Sequence, residues 1–254
     1  MKILETLQQR HRQGTKSIGV LIDPDKVDDG TKLKYLINVA SENCVDFFFV
    51  GGSLITTSNM AEVIQTIKED VNIPVVLFPG SSQQIDPTAD AILFLSLISG
   101  RNPDLLIGQH VQAAPILKNS RLEILPTGYM LVSSGRTTSV AYISNTTPIP
   151  EDKYSLAACT ALAGEMLGLR LIYLDAGSGA EREINARMIS TVRKSVSVPL
   201  IVGGGINTPQ KAQSALEAGA DMIVIGNSLE KNPDLLTEIS EKVYEWNQGV
   251  EAKK

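Results

Sequence analysis

Two carboxylates stand where they could do chemistry. Asp23 is the first polar residue after an apolar run, in Leu21-Ile22-Asp23-Pro24-Asp25-Lys26. Asp175 lies in Tyr173-Leu174-Asp175-Ala176-Gly177-Ser178-Gly179-Ala180, again straight after an apolar run. Gly177-Ser178-Gly179 is the kind of loop whose backbone N–H groups surround an anion. A carboxylate beside such a loop repels phosphate unless it has another task, and taking a proton from a substrate hydroxyl is one. The plainer reading of Asp175 is support of its own loop through backbone bonds. Tyr173 is placed to orient the same substrate. Asp23 could hold Mg²⁺, which favours one or two carboxylates together with substrate phosphate oxygens. Its plainer role is to cap the turn that Pro24 begins. Ser53, in Gly51-Gly52-Ser53, offers a hydroxyl to the same metal or an N-cap to the next helix. Asp25 and Lys26 read as solvated loop residues.

Two further glycine loops follow apolar runs, Val202-Gly203-Gly204-Gly205-Ile206 and Ile225-Gly226-Asn227-Ser228. Each opens a polar, helix-like segment, and backbone N–H groups at such turns favour an anion. Three of these loops in succession point to one shared phosphate site. Flavin enzymes, histidine- and tryptophan-pathway isomerases and phosphosugar enzymes use loops of this kind too, so they do not identify the phosphate.

The elements that must position these residues alternate along the chain. Strands are expected at Ile18–Ile22, Val45–Val50, Pro74–Phe78, Ala91–Ser96, within Leu122–Val132 with a break near Pro126, and at Leu171–Leu174, Pro199–Val202 and Met222–Ile225. Helices are expected at Lys32–Asn43, Met60–Glu69, Asp104–Leu117, Ser155–Leu167, Glu181–Lys194, Pro209–Glu217 and Leu235–Trp246. The strands are unbroken Val, Ile, Leu and Phe runs, as in parallel strands buried on both faces. Phe47-Phe48-Phe49 reads as core strand. Eight such strands predict a single (β/α)8 barrel over residues 1–254, and such a barrel needs about 250 residues. Its phosphate site belongs on the loops after the last strands. Between the third and fourth strands, Pro79-Gly80-Ser81-Ser82 and Asp86-Pro87 are turn signals, so that helix is short or missing. Ser133–Pro150 reads as a long loop, a lid or part of a substrate groove. Gly249–Lys254 reads as a frayed tail.

Composition narrows the partners. The formal net charge is −5, which argues against nucleic acid, whose partners present a basic face. No signal peptide or bilayer-spanning run is visible, so a soluble, cytoplasmic protein is expected. Cys44 and Cys159 sit in apolar helical contexts and read as buried thiols. His11 reads as solvated and His110 as structural. No Cys/His cluster suits zinc, and there is no Gly-x-Ser-x-Gly nucleophile elbow.

Taken in order, these motifs resemble the geranylgeranylglyceryl phosphate synthase family, the PcrB-like prenyltransferases, from about Ile18 to about Asn232. The resemblance implies a (β/α)8-type barrel altered after its third strand. It also implies transfer of a prenyl group from its diphosphate to the 3-hydroxyl of sn-glycerol 1-phosphate. By motif, Asp23 and Ser53 would bind Mg²⁺. Tyr173, Leu174, Asp175, Ala176, Gly177, Ser178 and Gly179, with Gly204-Gly205 and Gly226-Asn227, would hold sn-glycerol 1-phosphate. Asp175 would be the base, assisted by Tyr173. Many members carry Glu where this chain has Asp175. The shorter-chain branch carries Lys where this chain has Leu21, so the resemblance is to the longer branch, with geranylgeranyl diphosphate as the expected donor. Family members commonly self-associate, so a homo-oligomer is expected. The alternative function is a phosphosugar isomerase or lyase, and a flavin barrel or a non-catalytic phosphate binder stands behind it.

Overall fold

Eight strands close into one all-parallel barrel, hydrogen-bonded in the order of the sequence. The computed structural model describes residues 2–27 and 29–252. The strands are β1 (Ser17–Ile22), β2 (Phe47–Val50), β3 (Val75–Leu77), β4 (Ala91–Leu97), β5 (Glu123–Leu131), β6 (Leu171–Asp175), β7 (Leu200–Gly203) and β8 (Met222–Ile225). The helices are α1 (Ile3–Gln13), α2 (Gly30–Glu42), α3 (Met60–Asp70), α4 (Gln109–Asn119), α5 (Ser139–Ser144), α6 (Tyr154–Met166), α7 (Ala186–Arg193), α8 (Pro209–Glu217), α9 (Asn227–Lys231) and α10 (Leu235–Glu251). α10 carries the tail as helix to Glu251, and Lys253 and Lys254 lie outside the described residues.

The period of two along each strand divides the apolar residues between two cores. Phe47 and Phe49 point into the barrel with Leu93, Leu125, Tyr173 and Ile201. Phe48 points outward with Val20, Met130, Ile172 and Leu174, against the surrounding helices. Leu7 and Ile3 of α1 reach the inner core from below. Glu123 fixes that end of α1, accepting from Ile3 N at 2.7 Å and Leu4 N at 3.0 Å. His11 is therefore not a solvated residue of a loose helix. Its Nδ1 lies 3.0 Å from Asp221 Oδ1, which ties α1 to the barrel floor.

The weak unit after the third strand is real: only a 3-10 turn, Ser82–Gln84, lies between β3 and β4. The expected break at Pro126 is not. β5 runs through it, paired with β4 at Phe94↔Pro126. The Pro126 carbonyl accepts from Arg170 N at 2.8 Å, just before β6 begins, so the missing N–H falls where no partner strand needs it. The helix after β6 starts later than Glu181, because the Asn185 side chain caps it by accepting from Arg187 N. A π-helical turn, Asp104–Gly108, precedes α4. The Ser133–Pro150 loop contains α5 and a bridge, Val132↔Ile149. Both cysteines are exposed, Cys44 in a left-handed conformation just past α2 and Cys159 on α6.

Candidate active site

Every strand of a closed parallel barrel delivers its carboxyl end to the same rim. Asp23 follows β1, and the Ile22↔Val50 register sets it beside the Gly51-Gly52-Ser53 loop. Asp175 ends β6 opposite Gly203, the last residue of β7. One cavity over this rim is lined by Asp23, Ser53, Tyr173, Asp175, Gly177, Ser178, Gly179, Gly204, Gly205, Gly226 and Asn227. All but two of the expected site residues thus meet there. Leu174 and Ala176 do not: they are buried in the outer core, on the opposite face of the strand from Tyr173 and Asp175.

Asp175 is buried and held from two sides. Its Oδ2 accepts from Tyr129 Oη at 2.5 Å and its Oδ1 from Gly177 N at 2.8 Å. The second bond is the loop support that the plainer reading expected. Burial raises the Asp175 carboxyl above its ordinary range, against the lowering effect of those two donors. Burial beside the same carboxylate pushes the Tyr129 and Tyr173 hydroxyls well above their usual value, so both stay neutral. Tyr129, Tyr173 and Phe78 pack together, with ring centroids 5.2–5.8 Å apart, as the floor of the cavity. Gly204 closes one wall. Its φ is +78°, and a Cβ there would stand 2.7 Å from Asp175 Oδ1, so both conformation and space require glycine.

Across the cavity, Asp23 does cap its turn, accepting from Asp25 N at 3.2 Å. The same carboxylate borders the cavity beside Gly52, where a Cβ would stand 3.3 Å from Oδ1. Among the described residues no group of three or more His, Cys, Asp or Glu could hold a metal ion. What the site offers instead is one carboxylate and one hydroxyl, both hard oxygens. That donor set fits Mg²⁺ completed by phosphate oxygens and water, and suits no soft metal.

Several residues of the site went unread in the sequence. Asp25 is not simply solvated. It accepts from Thr56 N and Oγ1 at 2.8 and 2.9 Å and from Thr57 N and Oγ1 at 2.9 and 2.7 Å, tethering the β2–α3 loop to the β1 turn. Desolvation, the largest single influence, raises its carboxyl, but the four bonds from Thr57 and Thr56 together outweigh it and hold the group at about 2. Lys26 is not free either: it donates to Asn227 and to Glu230. Arg136, from the loop after β5, also lines the cavity, with its guanidinium over Gly179. Tyr129 sits inside an apolar run, and only its register opposite Tyr173 betrays it.

The architecture defines a class first: a (β/α)8 barrel with glycine-rich loops after β6, β7 and β8 and a carboxylate–hydroxyl pair after β1 and β2. Within that class, the chain belongs to the PcrB family, whose model matches residues 13–243. It is 60% identical over 237 residues to the geranylgeranylglyceryl phosphate synthase of Spirosoma linguale, covering 93% of this chain and 95% of that one. It is 40% identical to the protein of that name from Korarchaeum cryptofilum, covering 93% and 97%. The crystal structure of (S)-3-O-geranylgeranylglyceryl phosphate synthase from Thermoplasma acidophilum, in complex with its substrate sn-glycerol-1-phosphate, superposes with a TM-score of 0.90. That protein is 34% identical, with 96% of this chain and 99% of that one covered.

Proposed function

We propose that this chain is a prenyltransferase that joins a prenyl diphosphate, with geranylgeranyl the expected length, to the 3-hydroxyl of sn-glycerol 1-phosphate. One observation carries the reading. A single cavity holds the glycine loops and Asp175 on one side and Asp23 with Ser53 on the other, in a chain whose relatives bear that activity in their names.

The loops after β6, β7 and β8 hold the phosphate of sn-glycerol 1-phosphate, and Arg136 covers it. This fixes the free hydroxyl near Asp175 and removes much of the entropic cost of bringing two substrates together. Asp175 takes the hydroxyl proton as the oxygen bonds to the allylic carbon and the diphosphate leaves. Its raised affinity for the proton makes it a stronger base than an exposed aspartate. Tyr129 keeps the carboxylate aimed, while Tyr173 and Phe78 exclude water from below. Asp23 and Ser53 would hold Mg²⁺, which when bound draws charge from the leaving diphosphate. The prenyl tail has an apolar cleft to occupy. Phe94, Leu105, Ala113, Leu117 and Val140 line it, and it opens where the helix after β3 is absent. Each CH₂ buried there contributes roughly 0.8 kcal/mol.

A phosphosugar isomerase or lyase would use the same glycine loops. It would leave Asp23, Ser53 and the apolar cleft without a task, and the family match argues against it. The deciding experiment supplies purified protein with Mg²⁺, radiolabelled prenyl diphosphates of several lengths, and sn-glycerol 1-phosphate or its 3-phosphate isomer. A lipid-soluble product with the 1-phosphate is expected; no product at any length would reject the reading.

Among the described residues no helix is long and apolar enough to cross a membrane. We place the protein in the cytoplasm, a reading supported by two cysteines that form no disulfide. Exposed apolar residues on two outer helices, Val111 and Ile116 on α4 and Leu156 and Met166 on α6, support a homo-oligomer.

The pH profile offers a check on the base. Because burial raises the Asp175 carboxyl, the acid limb of kcat/KM should lie above the ordinary aspartate value of about 3.9. Tyr129→Phe removes a hydrogen bond that lowers that carboxyl. The acid limb should then move to still higher pH, and kcat should fall. A profile that does not move would separate Tyr129 from the proton transfer.

A further inference from the structure

Lys26 stands between the two halves of the site. It lies on the 3-10 turn Pro24–Lys26, three residues after Asp23, and its Nζ is 3.5 Å from Asp23 Oδ2. The same ammonium donates to Asn227 Oδ1 at 2.7 Å and to Glu230 Oε1 at 3.2 Å. Asn227 Nδ2 in turn donates to Ser178 Oγ at 3.0 Å, in the glycine loop after β6. A continuous run of contacts thus links the candidate metal carboxylate to the phosphate loops, with one cation at its centre. The ammonium is about a third exposed and faces the cavity.

The other charges around the cavity are arranged differently. Arg136 comes from the loop after β5 and lies over Gly179, which Asn227 also borders. Lys231 borders the cavity beyond Glu230 on α9. Asp23 and Glu230 face Lys26 from its two sides. Burial raises the Glu230 carboxyl, against the lowering effect of Lys26.

Resting on the prenyltransferase reading, we propose that Lys26 is the positioning residue that lets a diphosphate and a phosphate monoester occupy the cavity together. Each ligand is an anion, and the reaction requires their reacting ends to touch. Without a cation between them, binding of one opposes binding of the other. Lys26 needs only to exchange its bond to Glu230 for a phosphate oxygen, while its bond to Asn227 keeps the phosphate side in place. The consequence is thermodynamic: Lys26 sets the coupling between the two sites, and that coupling is the same whichever ligand binds first.

Calorimetry measures this without turnover. sn-Glycerol 1-phosphate is titrated into the protein alone, and into protein saturated with Mg²⁺ and inorganic pyrophosphate. In the unaltered protein the two affinities should agree within about threefold. In Lys26→Met, pyrophosphate should weaken sn-glycerol 1-phosphate binding by on the order of tenfold, within the usual range of coupling factors. Lys26→Gln keeps a donor for Asn227 without the charge and should behave like Lys26→Met. Lys26→Arg should restore the coupling. A Met variant whose affinity falls equally with and without pyrophosphate would overturn the proposal, leaving Lys26 as a local support of Asn227. So would a Met variant identical to the unaltered protein. Thermal melting of each variant separates these results from unfolding. If the unaltered protein takes up neither ligand, the prenyltransferase reading falls and this proposal falls with it. If it takes up both and Lys26→Met leaves their coupling unchanged, only this proposal falls.

Discussion

Asp175→Asn is expected to lower kcat by on the order of 10²–10⁴-fold, the usual contribution of a general base. The substitution is nearly isosteric. The asparagine carbonyl still accepts from Gly177 N, and the Tyr129 hydroxyl turns to accept from the new amide in place of donating to Oδ2. The loop should therefore keep its shape, and binding of sn-glycerol 1-phosphate should change little. Stability should respond with a definite sign. The folded-state carboxyl of Asp175 is raised above its unfolded value, mainly by burial. Its favourable contribution is therefore fully present below the unfolded value and is lost as pH rises through the folded one. The Asn variant has no such proton to lose. Its melting temperature should equal or exceed that of the unaltered protein at neutral pH, and the relative advantage should shrink in acid. Single-turnover rates and melting curves at two pH values test both halves. Full activity in a folded Asn variant would reject Asp175 as the base.

Asp23→Asn should abolish Mg²⁺-dependent turnover, with a loss of roughly 10³-fold or more. A metal that stabilises leaving-group charge contributes several kcal/mol to the barrier. The local fold should survive, because asparagine caps a turn as well as aspartate does, and the bond from Asp25 N can persist. Affinity for sn-glycerol 1-phosphate, measured alone, should stay within about threefold, since Lys26, which links Asp23 to the glycine loop after β8, keeps its bonds to Asn227 and Glu230. Loss of pyrophosphate binding in the presence of Mg²⁺, with sn-glycerol 1-phosphate binding retained, would locate the defect at the diphosphate half. Unchanged turnover and an unchanged Mg²⁺ requirement would sink the metal role of Asp23.

Much of the barrel was readable because its signals are local. Buried parallel strands are apolar on both faces, so Phe47–Phe49 announces itself over three residues. The missing helix after β3 showed as Pro and Gly where periodicity should have been. Gly177, Gly179, Gly204 and Gly205 were readable for a related reason: all four have positive φ, a conformation that selects glycine one residue at a time. Leu174 and Ala176 were assigned to the site by motif alone. Strand alternation already turns them away from Tyr173 and Asp175, and their burial in the outer core follows from it. Cys159 misled because an apolar neighbourhood in sequence does not say which side of a helix faces the barrel, and Cys44 because it falls just past the end of α2, in an exposed turn.

The sequence by itself therefore determined what depends on near neighbours: the parallel strands, the glycine turns, the gap after β3, and the two carboxylates at strand ends. The tertiary structure decided what depends on strand register and barrel closure. Tyr129 reaches Asp175 only because β5 and β6 align Tyr129 with Tyr173. Lys26 reaches Asn227, 201 residues away, only because β8 closes back onto β1. The physical reason is one of range. Propensity, turn chemistry and burial period act over a few residues, whereas the electrostatics of this site arises between groups that only the closed ring of strands brings within hydrogen-bonding distance.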